Sequence, residues 1–134
     1  MKPLRIGLLG IGTVGGGTFD VLTRNAEEIS RRAGRPITIT HVADKNTALA
    51  NQVVAGRATV TDDAFGVVRN PDIDVVVELI GGYGVAKQLM LEAINNGKHV
   101  VTANKALLAL HGNEIFAAAR AKGVIVAFEA AVAG

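Results

Sequence analysis

Apolar and polar positions along this chain follow two periods in turn. Leu4-Arg5-Ile6-Gly7-Leu8-Leu9 is short and mostly apolar, which predicts a strand too buried to have one wet face. From Thr13 to about Arg32, Val14, Phe19, Val21, Leu22, Ala26 and Ile29 recur near helical spacing, and Gly34 and Pro36 close that helix. Ile37–Ala43 is β-branched and alternating, a second strand. A short helix follows over Thr47–Ala55, then a brief edge strand over Ala58–Val60 and a weak helix over Asp63–Arg69. Asn70-Pro71-Asp72 signals a turn. Ile73–Ile80 reads as a strong buried strand ending at Gly81-Gly82. Val85–Asn96 reads as a helix stopped by Gly97, and Lys98–Thr102 as a strand. A helix over Lys105–Leu110 is expected to be separate from a second one over Asn113–Lys122, which Gly123 stops. Val124–Phe128 is the last strand.

Strands alternating with helices imply right-handed crossovers and a parallel sheet covered on both faces. The expected fold class is therefore α/β, a doubly wound parallel sheet of the Rossmann type. At 134 residues the chain reads as one domain over 1–134, without internal repeat or linker. The small-residue stretch Glu129-Ala130-Ala131-Val132-Ala133-Gly134 is too apolar for an ordinary terminus. It reads as an internal boundary, with a larger protein continuing beyond Gly134.

The turn after the first strand carries the sharpest chemical signal. Gly10-Ile11-Gly12-Thr13-Val14-Gly15 has the spacing G-x-G-x-x-G between a predicted strand and a predicted helix. In a dinucleotide site Gly10 allows the tight turn, Gly12 lets backbone approach the pyrophosphate, and Gly15 lets the helix pack close to the sheet. The free N–H groups and dipole of the helix start then hold the phosphates. The same glycines also suit a purely structural turn between tightly packed elements.

Composition narrows the classes. The chain is 49% hydrophobic and 19% charged, as in a well-buried globular fold. A net charge of +2 with no Lys/Arg-rich run argues against nucleic acid. Arg31-Arg32-Ala33-Gly34-Arg35 reads instead as a solvated helix end. Without cysteine there is no disulfide, thiol nucleophile or cysteine zinc site. Apolar runs such as Val75-Val76-Val77 are far short of a membrane span, and Met1-Lys2-Pro3 leads straight into the first strand. A soluble, cytoplasmic protein is expected.

In an open parallel sheet, ligands collect at the carboxyl ends of the strands. Asp44-Lys45 follows the second strand, where the adenosine ribose is read. The aspartate suits both ribose hydroxyls and repels a 2′-phosphate, whereas the lysine suits that phosphate. Two exposed loop charges would look the same. Gly81-Gly82 follows the next long strand, where small residues admit the nicotinamide half or simply end the strand. Asn104-Lys105 follows the fifth strand, where an ammonium can stabilise charge on a developing alkoxide or assist proton transfer. On position alone, Lys105 is a solvated helix-start lysine. Glu129 sits among alanines and needs a cation or backbone donors as partner. His41 and His99 fall within strands and His111 between helices, at spacings wrong for a helix-borne metal pair, and all three read as structural.

Four segments together resemble one family. Gly-Leu-Leu-Gly-Ile-Gly-Thr-Val-Gly-Gly-Gly at 7–17, Val-Val-Val-Glu-Leu-Ile-Gly-Gly at 75–82, His-Val-Val-Thr-Ala-Asn-Lys-Ala-Leu-Leu-Ala at 99–109 and Phe-Glu-Ala-Ala-Val-Ala-Gly at 128–134 resemble homoserine dehydrogenases, in the family's order. The resemblance implies NAD(P)-dependent interconversion of L-homoserine and L-aspartate 4-semialdehyde, in threonine and methionine biosynthesis. It implies an amino-terminal NAD(P)-binding domain, followed in the whole enzyme by a catalytic and dimerisation domain and often a regulatory tail. A homodimer is implied for the whole enzyme, and inactivity for this part alone. Gly10, Ile11, Gly12, Thr13, Val14 and Gly15 would hold the pyrophosphate, and Lys105 would lie by cofactor and substrate. Glu129, Val132 and Gly134 fall where the family binds a monovalent cation such as Na+. Asp44 departs from the family's pattern, in which a small apolar residue often precedes a basic one, and argues against strict NADP preference. Two rivals stand beside this reading: a dehydrogenase of another semialdehyde, and a non-catalytic NAD(P)-sensing module that would have no use for Lys105 or Glu129.

Overall fold

The computed structural model describes residues 3–11, 19–20, 23–24, 26–28, 30–31, 34–80 and 83–128. Six strands, β1 (Leu4–Leu9), β2 (Ile37–Ala43), β3 (Thr59–Thr61), β4 (Val75–Glu78), β5 (His99–Thr102) and β6 (Val126–Phe128), form one sheet in the order β3-β2-β1-β4-β5-β6. Every pairing is parallel. Sequence neighbours β1 and β2 lie side by side, but the chain crosses to the far side of β1 to place β4. That reversal leaves a crevice at the carboxyl ends of β1 and β4.

Residue alternation along the strands builds two cores. Leu9, Ala43 and Val76 face one side and pack with Leu89, Met90 and Ile115. Leu8, Val42 and Val77 face the other and pack with Phe19, Ala50 and Val54. Helices with described bounds are α1 (Thr47–Val54), α2 (Ala64–Arg69), α3 (Gly84–Asn95) and α4 (Lys105–Lys122). The first core lies under α2, α3 and α4; the second lies under α1 and the helical residues described between Phe19 and Arg31. Burial on both faces explains why the inner strands β1 and β4 read as nearly unbroken apolar runs.

Short side chains set the helix starts. Asn46 accepts the Leu49 N–H at 3.1 Å, Asp63 the Gly66 N–H at 3.0 Å, and Asn104 the Leu107 N–H at 3.0 Å. Each bond satisfies a donor that the first turn leaves without a partner, and such a cap contributes ~1 kcal/mol. Arg57 ties the second layer together. Its guanidinium lies 4.7 Å from the Phe19 ring centroid, pairs with Asp20 at 3.1 Å, and donates to the Val54 carbonyl at 2.9 Å.

Two expectations change. The helices expected over 105–110 and 113–122 are one continuous helix, and His111 lies inside it rather than between helices. Glycine inside a helix costs ~1 kcal/mol relative to alanine. Here Leu107, Ile115 and Ala119 are buried on both sides of buried Gly112, so packing holds the helix through it. The strand expected over Ile73–Ile80 is shorter, Val75–Glu78. Leu79 and Ile80 already belong to the exit of the sheet, and apolar content alone does not separate buried loop from strand.

Candidate functional site

The crevice is built around Gly10. Its φ is +84°, and its N–H donates to the Ala43 carbonyl at 2.7 Å. A Cβ here would stand 2.9 Å from Ile80 Cγ1 and 3.2 Å from Ile80 Cα. Glycine is therefore required twice, by the left-handed backbone and by contact with the chain leaving β4. Ile11 is fully buried, and its N–H donates to Asp44 Oδ2 at 2.7 Å. Asp44 Oδ1 accepts the Asn46 N–H at 2.9 Å. The aspartate expected at the ribose thus also clamps the glycine turn.

A pocket of about 450 Å³ opens beside this turn, lined in part by Gly10, Ala43, Asp44, Lys45 and Asp62. Leu49, Ala64, Ile80 and Val85 supply apolar walls. Mostly apolar lining with a few placed polar groups, at this size, suits a small organic ligand. Gly10, Asp44 and Lys45 are brought together as the sequence predicts. Asp62, Leu49, Ala64 and Val85 join them through the β3 and β4 connections, which no local motif reveals.

Lys105 is elsewhere. It is exposed at the first position of α4, past β5, and is not part of the pocket lining. β5 is two strands away from β1 in the sheet, so roughly 10 Å separates their ends at ~4.8 Å per strand. A site that included both the pocket and Lys105 would have to run from the β2–β3 side to the β5 side.

Between them lies Glu78, the last residue of β4 and fully buried. Its Oε1 accepts the Ile80 N–H at 2.7 Å and its Oε2 accepts the Thr102 hydroxyl at 2.8 Å. The Thr102 oxygen in turn accepts the Asn104 N–H at 2.9 Å. Sequence reasoning missed this residue as a candidate, although the signal was present. A carboxylate ending an all-valine strand needs partners as much as Glu129 does.

Gly12, Thr13, Val14, Gly15, Gly81, Gly82, Glu129, Val132 and Gly134 lie outside the described residues. Among the described residues no group of three His, Asp or Glu side chains could hold a metal, and no helix is long and apolar enough to cross a membrane. His99 Nδ1 accepts the Ile125 N–H at 3.0 Å and His41 Nδ1 contacts the Thr40 hydroxyl at 2.8 Å, so both serve local structure.

Residues 10–129 match the family model for the homoserine dehydrogenase NAD-binding domain. The chain belongs to this family. It is 64% identical over all 134 residues to a homoserine dehydrogenase of Pseudomonas aeruginosa, of which it covers 30%. The crystal structure of a homoserine dehydrogenase from Thiobacillus denitrificans superimposes with a TM-score of 0.88 at 60% identity, covering 98% of this chain and 30% of that one. A Staphylococcus aureus homoserine dehydrogenase gives 0.84 at 33% identity, over 97% of this chain and 33% of that one. The chain thus spans about 30% of the length of the relatives it matches. Family membership makes a nicotinamide dinucleotide the ligand class of this Rossmann-type domain.

Proposed function

We propose that this chain is the cofactor-binding part of an NAD(P)-dependent enzyme that interconverts L-homoserine and L-aspartate 4-semialdehyde. The family match carries the reading, and the crevice at the strand reversal is consistent with it. The pocket on the β2–β3 side suits the adenosine half: apolar walls face the base, and Asp44 and Asp62 stand against one ammonium, Lys45. That charge balance disfavours a 2′-phosphate, so NAD is accepted and any NADP preference is incomplete. The Gly10 turn is where a Cβ would crowd the crevice, which suits close approach of backbone to the pyrophosphate.

The nicotinamide half then extends toward the ends of β4 and β5, and its chemistry when bound is hydride exchange. Lys105, exposed at the start of α4, is our candidate for stabilising negative charge on the substrate oxygen. The remaining catalytic groups, the dimer contacts and the substrate pocket belong to the further length that the relatives have. A monovalent cation held by Glu129, Val132 and Gly134 completes the proposal and rests on family resemblance.

The experiment is dinucleotide titration of the protein and its Asp44 variants, followed by homoserine oxidation assays on the whole enzyme. Asp44→Asn removes the charge and keeps an acceptor for Ile11, and it should raise NADP affinity relative to NAD. Asp44→Ala should shift the ratio the same way while weakening both cofactors, because the Ile11 N–H loses its partner. An unchanged NAD/NADP ratio in both variants removes Asp44 from the ribose site.

A further inference from the structure

We propose that Glu78 is a positioning residue that sets the nicotinamide side of the crevice by tying together the chain segments leaving β4 and β5. The proposal rests on the dinucleotide reading above. Glu78 is fully buried in a strand whose other members are Val75, Val76 and Val77. Burying a carboxylate costs free energy that an apolar residue of similar size would not, so its presence calls for a cause outside strand packing. Strand adhesion does not supply one. β4 and β5 are already in register over Val75–His99, Val76–Val100, Val77–Val101 and Glu78–Thr102.

Its bonds point past the strand ends instead. One oxygen holds the Ile80 N–H at 2.7 Å, on the segment that touches Gly10 and leads into Gly81-Gly82. The other holds the Thr102 hydroxyl at 2.8 Å, and Thr102 passes the constraint on by accepting the Asn104 N–H at 2.9 Å. Asn104 caps α4 through the Leu107 N–H at 3.0 Å, and α4 opens with Lys105. A single side chain therefore fixes two loops relative to one another. Thr102 suits the middle of this relay because a hydroxyl donates one bond while accepting another. A valine at 102 keeps the shape and loses both.

The Thr102–Asn104 arm of the relay lies on the β4–β5 side, whereas Ile80, held by the other oxygen, is a wall of the adenosine pocket. A glutamine at 78 keeps an acceptor for the Ile80 N–H, so loss of the Thr102 arm should be felt by the nicotinamide half of the cofactor. The test titrates wild type, Glu78→Gln, Thr102→Val, the double variant and Thr102→Ser with NAD+ and with ADP, which carries only the adenosine diphosphate half. Glu78→Gln and Thr102→Val should each weaken NAD+ at least fivefold and leave ADP within twofold of wild type. The double variant should be no weaker than the worse single one, because both break one relay. Thr102→Ser should stay within twofold of wild type for NAD+. Unchanged NAD+ affinity in either single variant, losses that multiply in the double, or an equal loss of ADP would overturn the proposal while leaving the dinucleotide reading intact. Wild-type protein that binds neither ligand would overturn both.

Discussion

Replacing Gly10 by alanine should destabilise the fold far more than replacing Gly123, although both glycines have left-handed backbone. The φ values are +84° and +69°. That conformation costs an L-residue ~1–2 kcal/mol, and the gain from a stiffer unfolded chain returns ~0.4–1 kcal/mol. Gly123 closes α4 with open space around it: nothing lies within 4 Å of a Cβ there. Its alanine variant should therefore lose only ~1 kcal/mol. At Gly10 the new methyl would stand 2.9 Å from Ile80 Cγ1, and 3.2 and 3.3 Å from the Ile80 backbone Cα and nitrogen. Side-chain rotation relieves the first contact and not the other two. The Ile80 backbone is held in place by its own N–H bond to Glu78. Overpacking of this kind adds ~1–3 kcal/mol. The assay is urea unfolding of wild type and both variants by circular dichroism. With a slope of ~2 kcal/mol per molar, the Gly10→Ala midpoint should fall roughly 1 M below that of Gly123→Ala. Equal midpoints would show that the turn and the β4 exit do not press together, and the account of why glycine stands at position 10 would fail.

Gly7→Ala should cost ~1–3 kcal/mol in the same assay, because its Cβ would meet Val67 Cγ1 at 2.6 Å, and Val67→Ala should restore most of the loss; a simple sum of the two single effects would refute the contact. Lys98 is buried and donates to the Asn70 and Ile73 carbonyls at 2.6 and 2.7 Å. Burial pushes its pKa below 10.5, against the pull of Asp74. The unfolded chain then holds this proton to higher pH than the folded one, so wild type should gain stability relative to Lys98→Met as pH rises through the alkaline range toward 10.5. A flat or falling difference in unfolding midpoint would contradict the buried-ammonium account. In the whole enzyme, Lys105→Ala should lower kcat/KM at least tenfold, ~1.4 kcal/mol, with an unchanged melting temperature because the side chain is exposed. A value within twofold of wild type returns Lys105 to a solvated helix-start residue.

What the sequence determined by itself was local and periodic. The apolar run at 4–9, the alternation at 37–43 and the helix starts expected at Thr47, Asp63 and Lys105 are written in neighbouring residues, and the observed elements start there within a residue or two. The glycine spacing from Gly10 was legible without tertiary information, because it follows directly on the apolar run that predicts the first strand. The four family segments were likewise legible without it.

Tertiary structure decided what depends on contacts between distant residues. Gly112 interrupts a helical pattern in sequence, but burial of Leu107, Ile115 and Ala119 against the sheet carries the helix across it. Asp44 was visible as a ribose candidate; its bond to Ile11, 33 positions away, exists only because β1 and β2 are neighbours in the sheet. Glu78 and Thr102 are 24 positions apart, and meet because the parallel register of β4 on β5 sets them opposite each other. A hydrogen bond reaches about 3 Å, whereas a sequence pattern states only which residues share a face. Which loop each side chain holds is therefore decided by the order and register of the strands, and that order is a property of the folded sheet.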